Sequence, residues 1–334
     1  MVKARKYVAK KHFQGDPKRD DYELIEYELP PLKNGEVLVK AEWISVDPCQ
    51  RAFNSQVKTP FDQFSAQVGV VLESKAPEFP VGCRIVSEKG WCDYSIVNPK
   101  EKSKVDWLRV YKLPNMGNLS PSLGVGTVGM TGATAYFGFL EICKPKAGET
   151  VVVTGAAGAV GSMVGQIAKI KGCRVIGFAG SDEKVKWLET ELGFDKAINY
   201  KTANVVQALK DAAPKGVDCY YDNVGGEISS QIMSQMNSHG RVAVCGSISS
   251  YNESNMPKAT IVQPSLVFKQ LKVEGFIVSR WLDRWPEAFA DIIKWIETGK
   301  LQARQHITEG FENLFDAFVG MLAGENCGKA VVKV

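Results

Sequence analysis

Histidine is scarce in this chain, and its cysteines never recur at the spacing of a zinc cluster. The only histidines in 334 residues are His12, His239 and His306, and none is followed by a glutamate. None of the eight cysteines belongs to a Cys-x2-Cys pair. Zinc sites in proteins are built from clusters of thiolate, imidazole and carboxylate ligands at short spacings. The sequence therefore predicts no metal site and reduced cysteine thiols.

Long apolar runs and a strong net charge are also missing. No stretch of 18 uncharged apolar residues occurs, and the first residues, MVKARKYVAKKHF, lack the apolar core of a signal peptide. We therefore expect a cytoplasmic protein that does not enter a membrane. The net charge of +4 is too small for this length to predict a nucleic-acid partner. The length itself predicts two domains.

A glycine-rich turn follows an apolar strand between Val151 and Gly161, where the chain reads VVVTGAAGAVG. Ala156-x-Gly158-x-x-Gly161 keeps the second and third glycines of the dinucleotide-binding pattern. Gly158 allows backbone amides to approach a pyrophosphate, and Gly161 allows the next helix, Gly161–Ile170, to pack closely on the strand. The N-terminus of that helix then faces the phosphate charge. A tight strand-to-helix turn without a ligand is the alternative.

The residues after the next strand, Arg174–Ala179, distinguish NADP from NAD. An NAD site has a carboxylate there for the ribose 2′-hydroxyl, whereas this chain has Gly180-Ser181, with Lys184 one turn later. Asp182 and Glu183 fit the first turn of a helix, where the helix dipole favours acidic residues. The sequence therefore predicts NADP(H), with Lys184 on the 2′-phosphate. The alternative is that Lys184 is a solvated helix lysine.

Two strand patterns divide the chain. The first 120 residues contain short strands separated by glycine and proline turns, which is typical of a small β-barrel domain. These strands are predicted at Glu36–Trp43, Val68–Ser74, Arg84–Ser87 and Asp93–Val97. After residue 150, strands alternate with helices, which predicts a parallel Rossmann sheet. Its strands are predicted at Val151–Thr154, Arg174–Ala179, Lys196–Asn199, Val217–Tyr221, Arg241–Cys245 and Lys272–Val278. After this sheet, the sequence predicts a helix at Trp285–Thr298, another near Phe311–Leu322 and a last strand at Ala330–Val334.

Several long runs of sequence resemble the zinc-independent branch of the medium-chain dehydrogenase/reductase superfamily. The runs are LPPLKNGEVLVKA, GTVGMTGATAYFGFLEIC, AAGAVGSMVGQIAKIKGC, GSDEKVKWL, CYYDNVGGE and EGFENLFDAFVGMLAGENCGKAVVKV. The resemblance spans nearly the whole chain and implies a doubly wound Rossmann sheet plus a GroES-like β-barrel domain. The implied substrate and catalytic domain is residues 1–122, completed by 300–334, and the NADP-binding domain is 123–299. A homodimer is also implied.

The activity implied by this resemblance is NADPH-dependent reduction of the carbon–carbon double bond of α,β-unsaturated ketones and aldehydes, such as 15-oxoprostaglandins and alkenals. Reversible oxidation of a leukotriene 12-hydroxyl is a further implied activity. Two alternatives stay open at this point. The first is an NADPH quinone oxidoreductase of the same superfamily, and the second is a non-catalytic protein that binds NADPH in a structural role.

The resemblance also implies which residues contact the cofactor. The implied pyrophosphate contacts are Gly158, Ala159, Val160 and Gly161, and the implied 2′-phosphate contact is Lys184. Tyr200 is the implied adenosine contact; the alternative is that it is only an aromatic residue at a strand end. The nicotinamide surround comprises Asn223, Cys245, Gly246, Ser247, Ile248, Ser249, Ser250, Tyr251, Phe276, Ile277, Val278 and Asn326. Cys245 is expected to contribute backbone groups and not thiol chemistry.

Candidate groups around the substrate are fewer. Negative charge grows on the carbonyl oxygen as the alkene is reduced, so a hydrogen-bond donor to the enolate stabilises the transition state. Tyr251 is the protein donor that we prefer, although it is otherwise a residue of the pocket wall and the cofactor's ribose hydroxyl is the alternative donor. Arg51 is a weaker candidate, for a fatty-acid carboxylate.

Three departures from the family pattern affect the expected substrate. The usual DPYMR segment reads DPCQR here, so that Cys49 and Gln50 replace an aromatic residue and a methionine. Phe268 stands where mammalian members have a tyrosine, and Thr131 replaces a proline. These changes bear on eicosanoid preference more than on NADPH-linked alkene reduction.

Overall fold

Two segments that lie far apart in the chain fold together. In the computed structural model, which describes residues 2–101, 109–251 and 258–334, Met1–Met130 and Gln305–Val334 form unit 1, whereas Thr131–Arg304 form unit 2. No helix among the described residues is long and apolar enough to cross a bilayer. The assignment of substrate and NADP binding to two domains, with boundaries at 122/123 and 299/300, stays a prediction.

The described residues form strands and helices throughout both units. The strands are β1 Lys3–Ala9, β2 Tyr22–Glu28, β3 Val37–Ser45, β4 Phe61–Asp62, β5 Gln67–Ser74, β6 Arg84–Ser87, β7 Tyr94–Val97, β8 Tyr111–Lys112, β9 Thr150–Val153, β10 Arg174–Ala179, β11 Lys196–Asn199, β12 Val217–Asp222, β13 Met236–Val244, β14 Lys272–Gly275, β15 Gln305–Glu309 and β16 Lys329–Lys333. The α-helices are α1 Cys49–Ala52, α2 Met130–Phe137, α3 Ala159–Ile170, α4 Asp182–Thr190, α5 Val205–Ala212, α6 Gly226–Met233, α7 Gln263–Lys269, α8 Trp285–Glu297 and α9 Leu314–Leu322.

Unit 1 is built from two sheets. One has the strand order β2-β1-β4, and the other has the order β15-β16-β3-β5-β6-β8 with β7 also paired to β3. All of these pairs are antiparallel except β15–β16, so the larger sheet is mixed. The last strand of the chain, β16, pairs with β3 and places Val331 opposite Ser45. Aromatic side chains, including Tyr7, Trp91 and Phe318, form a buried cluster between these elements.

Unit 2 contains a six-stranded parallel sheet. Its strand order is β11-β10-β9-β12-β13-β14, in which the first strand along the chain, β9, lies in the middle. All four residues of β9 are buried, as expected for a central parallel strand covered on both faces. This is the order of a complete Rossmann sheet, which places the carboxyl ends of β9 and β12 side by side. The predicted α/β fold with a Rossmann sheet and a separate β-rich domain is confirmed.

Four strands of this sheet have bounds that differ from the prediction: β9 and β12 differ by one residue, and β13 and β14 differ by more. β13 begins at Met236 and not at Arg241, because Met236 already pairs with Val217 of β12. A bulge around His239, which has φ 62°, follows this pair, and the regular register starts at Arg241. β14 ends at Gly275 and not at Val278, because the chain turns into a 3-10 helix that starts at Val278.

Candidate functional site

The glycine-rich turn connects β9 to α3 at the centre of the parallel sheet. Gly155 has φ 59°, a left-handed conformation that favours glycine. A Cβ on Gly161 would lie 2.3 Å from the carbonyl oxygen of Gly155 and 2.8 Å from the Cα of Ala156, so α3 packs against the turn more closely than any side chain allows. The sequence pattern predicted the role of Gly161. It missed Gly155, whose backbone angle the spacing of the motif does not reveal.

The backbone N–H groups at the N-terminus of α3 have no side-chain cap. Gly158 is the N-cap and forms no side-chain cap, and no acidic residue lies in the first turn. Gly158, Ala159 and Val160 are only half-buried, so the turn is accessible from solvent. The first amides of a helix lack partners within the helix and carry the positive end of the dipole. This end of α3 therefore fits a phosphate group.

A second cluster forms where β10 and β11 end. The hydroxyl of Tyr200 lies 3.1 Å from the position that a Cβ on Gly180 would take, and the ring is 44% exposed. Ser181 caps α4 and its Oγ accepts the backbone N–H of Lys184 at 3.3 Å, which places half-buried Lys184 in the first turn. The structure thus places Tyr200, predicted for the adenosine contact, beside the end of β10, and Lys184, predicted for the 2′-phosphate contact, in the helical turn that follows this strand.

One of the two acidic residues that follow this cluster in sequence, Asp182, is hydrogen bonded to a neighbouring side chain. Asp182 is exposed, and its Oδ1 accepts a hydrogen bond from the side-chain amide of Asn199 at 2.7 Å. Gly180 itself stands at the end of β10, where an NAD site has its carboxylate. The cluster therefore accommodates an added phosphate charge better than a carboxylate-bound ribose hydroxyl.

Asn223 follows β12 and ties this strand to the glycine-rich turn. Its side-chain amide donates to the carbonyl oxygen of Thr154 at 2.7 Å, and its backbone N–H donates to Thr154 Oγ1 at 3.1 Å. Thr154 is fully buried and its hydroxyl also donates to Asp222 Oδ1 at 3.1 Å. Asn223 is therefore held at the carboxyl edge of the sheet, as predicted from its position, but its amide group is used to orient the turn.

The turn from Cys245 to Tyr251 folds back over the loop after β12. Backbone N–H groups of Cys245 and Gly246 donate to the carbonyl oxygen of Asp222 at 2.8 and 3.2 Å. The Tyr251 hydroxyl oxygen accepts the backbone N–H of Ser247 at 3.1 Å, so Tyr251 closes the turn on itself. Burial raises the pKa of the Cys245 thiol to about 11, which keeps the thiol protonated at neutral pH. This agrees with a backbone role for Cys245.

Hydrogen bonds hold the rest of this turn, and ring packing holds Phe276 after the end of β14. Ile248 N–H and Ser249 N–H donate to the carbonyl oxygens of Asn223 and Val224, and the hydroxyls of Ser247 and Ser250 are hydrogen bonded to each other at 2.9 Å. The Phe276 ring packs against Tyr221 and Trp281 at centroid distances of 6.2 and 5.5 Å. The side chain of Phe276 is therefore occupied by packing, whereas Ile277 is 55% exposed and Val278 is buried.

Three further predicted residues lie outside this arrangement. In unit 1, Arg51 is buried; its guanidinium donates to the carbonyl oxygen of Gly15 at 3.0 Å, and burial lowers its pKa. Asn326, also in unit 1, donates from its side-chain amide to the carbonyl oxygen of Gly328 at 2.8 Å. Phe268 lies on α7 in unit 2 and is 82% exposed. The roles of these three residues stay predictions.

The DPCQR segment also has a structural explanation. Gln50 is almost fully buried, accepts the backbone N–H of Asp47 at 2.8 Å and donates to the carbonyl oxygen of Phe64 at 3.1 Å. Gln50 thus holds α1 against the neighbouring loop of unit 1. Burial raises the pKa of the Cys49 thiol well above its ordinary value. Within the residues that the structure covers, no three histidine, cysteine, aspartate or glutamate side chains converge as a set of metal ligands.

Comparisons with known proteins cover the whole chain. The family model described as zinc-binding dehydrogenase matches residues 159–297, and the model of the N-terminal domain of oxidoreductase matches residues 5–105. The chain is 49% identical to prostaglandin reductase 1 of Bos taurus, over 100% of both chains. It is 36% identical to the NADP(+)-dependent 2-alkenal reductase of Nicotiana tabacum, over 100% of this chain and 98% of the relative. It is also similar to the crystal structure of CurA from Vibrio vulnificus in complex with NADPH, with a TM-score of 0.91, 36% identity and 99% of each chain covered.

Proposed function

The chain belongs to the prostaglandin reductase family of the medium-chain dehydrogenase/reductase superfamily, and on this premise we propose that it reduces the carbon–carbon double bond of α,β-unsaturated ketones and aldehydes with NADPH. The observation that carries the proposal is the pair of anion-binding features in unit 2. The N-terminus of α3 has no side-chain cap and follows the central strand β9, and Lys184 and Tyr200 follow the ends of β10 and β11, where Gly180 stands in place of a carboxylate.

The residues present fit the cofactor. The backbone from Gly158 to Gly161 would hold the pyrophosphate, since the turn is free of side chains that fill it. Lys184 would pair with the 2′-phosphate and Tyr200 would lie on the adenosine half. Asn223, the turn Cys245–Tyr251, the edge Phe276–Val278 and Asn326 would surround the nicotinamide. Bound NADPH supplies the hydride.

The protein's own task is to orient the enone and to stabilise the charge that develops on its carbonyl oxygen. Tyr251 is our candidate donor for that oxygen, because Ser247 N–H fixes its phenol oxygen within the turn that we assign to the nicotinamide. Arg51 and Phe268 remain candidates for the part of the site that binds the rest of the substrate. We propose lipid enones and alkenals as the substrate class.

Replacing Tyr251 with phenylalanine separates a role in the chemical step from a role in closing the turn. Tyr251→Phe is expected to lower kcat by about tenfold, since one hydrogen bond to the developing charge is lost, and to leave the Kd of NADPH nearly unchanged. Steady-state kinetics and fluorescence titration measure the two quantities. If kcat is preserved while NADPH binds more weakly, Tyr251 acts only through its contact with Ser247.

Turnover assays distinguish this function from its two alternatives. We expect NADPH oxidation with 4-hydroxynonenal and with a 15-oxoprostaglandin, and a product reduced at the double bond. A p-quinone consumed faster than any enone would instead indicate a quinone reductase. NADPH binding without turnover of any conjugated carbonyl would indicate a structural role. Stoichiometric metal in elemental analysis of the active protein would contradict the zinc-independent assignment, and cell fractionation tests the proposed cytoplasmic location.

We also propose that two copies of the chain associate through β14. This strand is the edge of the parallel sheet, and apolar side chains are exposed on it and beside it: Val273 is 39%, Ile277 55%, Val267 70% and Phe268 82% exposed. An unpaired edge with exposed apolar residues is a template for another strand. If two copies of β14 pair antiparallel with Val273 at the two-fold axis, Lys272 of each copy lies opposite Glu274 of the other. The pairing therefore forms two cross-strand pairs of opposite charge.

Charge reversal tests this pairing. Glu274→Lys is expected to raise the Kd of the dimer by about tenfold, because both cross-strand pairs become repulsive. The double variant Lys272→Glu, Glu274→Lys restores opposite charges and should recover the dimer. Sedimentation velocity over a concentration series measures both. A monomeric native protein, or a double variant as weak as the single one, would refute pairing through β14.

A further inference from the structure

Asp222 is a buried carboxylate at the carboxyl end of β12, and it lies at the centre of the candidate site. Only 2% of the residue is exposed. Its Oδ1 accepts hydrogen bonds from the backbone N–H groups of Val224 and Gly225, both at 2.9 Å, and from the Thr154 hydroxyl at 3.1 Å. Its Oδ2 accepts a hydrogen bond from the Ser229 hydroxyl at 2.6 Å. Four donors directed at one carboxyl group is the arrangement that an ionised, acceptor-only carboxylate satisfies.

Within the described part of the chain, no lysine, arginine or histidine forms an ion pair with the Asp222 carboxylate. Two neighbouring acidic protons respond to its charge. The pKa of the Tyr220 phenol is raised well above its ordinary value, first by burial and then by the charge of Asp222, and the same two causes, in the same order, raise the pKa of the Cys245 thiol. The described contacts of the Asp222 carboxylate are therefore neutral hydrogen-bond donors.

The hydrogen bonds of Asp222 reach the glycine-rich turn and two of the segments that we assign to the nicotinamide. Through Thr154 it reaches the glycine-rich turn, through Val224 and Gly225 it shapes the loop that contains Asn223, and its backbone carbonyl accepts the amides of Cys245 and Gly246. The reducible ring is neutral in NADPH and carries a positive charge in NADP+. A fixed negative charge near the ring would stabilise the oxidised form more than the reduced form, and the effect would be larger where water is excluded.

We propose that the negative charge of Asp222 lowers the reduction potential of the bound cofactor. It does so by stabilising NADP+ relative to NADPH, which makes bound NADPH a stronger hydride donor. This inference rests on the proposed function and adds a residue to it. When bound, NADPH would supply a hydride to the β-carbon of the enone and solvent would supply the proton at the α-carbon, so that the double bond is reduced while NADPH is oxidised to NADP+. Asp222 touches neither reactant and exchanges no proton; it acts through its charge alone.

The test is the ratio of two dissociation constants, Kd(NADP+) over Kd(NADPH), measured by calorimetry on the intact protein. Asp222→Asn keeps the shape of the side chain and removes its charge. We expect the ratio to rise by about three- to tenfold, where tenfold corresponds to a shift of about 30 mV in the bound two-electron couple. Equal weakening of both cofactors would show that Asp222 only shapes the loop, and an unchanged ratio would also overturn the proposal.

Asp218→Asn is the matched control. Asp218 lies on the same strand, four residues and about 13 Å from Asp222, and accepts hydrogen bonds from Thr150 N–H and the Asn237 amide, both at 2.8 Å. Its substitution should leave the ratio unchanged. Val224→Lys keeps the carboxylate and adds a cation at a half-buried position of the loop after β12, near Gly155 of the glycine-rich turn. A cation near the pyrophosphate acts on both cofactor forms alike, whereas it opposes the positive ring of NADP+ alone, so the ratio should rise as in Asp222→Asn. This second variant tests the proposal even if Asp222→Asn does not fold. Failure of the wild type to bind NADPH or to reduce an enone would instead count against the proposed function.

Discussion

Lys184→Ala is expected to weaken NADPH binding by about 10- to 150-fold, because a charge-assisted contact with a phosphate contributes about 1.5–3 kcal/mol. NADH has no 2′-phosphate, so its Kd should hardly change. Lys184 is half-buried in the first turn of α4, beside the cluster of Gly180 and Tyr200. Fluorescence titration with the two cofactors measures the selectivity directly.

Lys186→Ala is the matched control for this prediction. Lys186 is exposed on the same helix, and residues two positions apart do not face the same side. The control should retain both affinities, which separates a contact with the phosphate from a general loss of positive charge. Equal weakening of NADPH and NADH by Lys184→Ala would reject the assignment of Lys184 to the 2′-phosphate.

Gly161→Ala is expected to lower kcat/KM for NADPH by on the order of 100-fold, since displacements of about 1 Å at a binding turn have effects of this size. The added methyl group would stand 2.3 Å from the carbonyl oxygen of Gly155, and neither atom can move without shifting α3 or the turn. The amides that we assign to the pyrophosphate move with them. Kinetics at varied NADPH concentration test the loss, and the thermal unfolding midpoint reports the accompanying strain.

Gly165→Ala provides a control one turn further along α3. Its methyl group would lie 1.9 Å from Cζ of buried Phe194, so overpacking should cost about 1–3 kcal/mol of unfolding free energy. The strain falls on a side chain and not on the glycine-rich turn, so the Kd of NADPH should be retained. If both variants lose NADPH equally, the effect of Gly161→Ala is a general loosening of α3.

The strands were the most predictable part of the fold. Arg84–Ser87, Arg174–Ala179 and Lys196–Asn199 have the predicted bounds, because short apolar runs between glycine, proline and polar turns specify a strand locally. The start of β13 was not predictable, since the bulge at His239 depends on where the neighbouring strand pairs. β1 and β2 were not predicted as strands, although they form most of a sheet in unit 1.

The candidate site divides in the same way. The residue types in the glycine-rich turn and at Lys184 predict a phosphate-binding chemistry, since few other residues suit those backbone and charge requirements. The pattern said nothing of Asp222, because its importance arises from four donors contributed by Thr154, by the loop after β12 and by α6. Gln50 looked like part of a pocket wall, but its hydrogen bonds to Asp47 and Phe64 show a buried structural role.

The amino-acid sequence by itself determined the fold class, the phosphorylated cofactor and the family, because each depends on local patterns of polarity, glycine and charge. Only the tertiary structure decided which side chains serve the scaffold and which remain available to a ligand. Burial and hydrogen-bond partners come from segments distant in the chain, as when Thr154 and Ser229 meet at Asp222. A carboxylate becomes an electrostatic element of the site only when such contacts bury it without a cation.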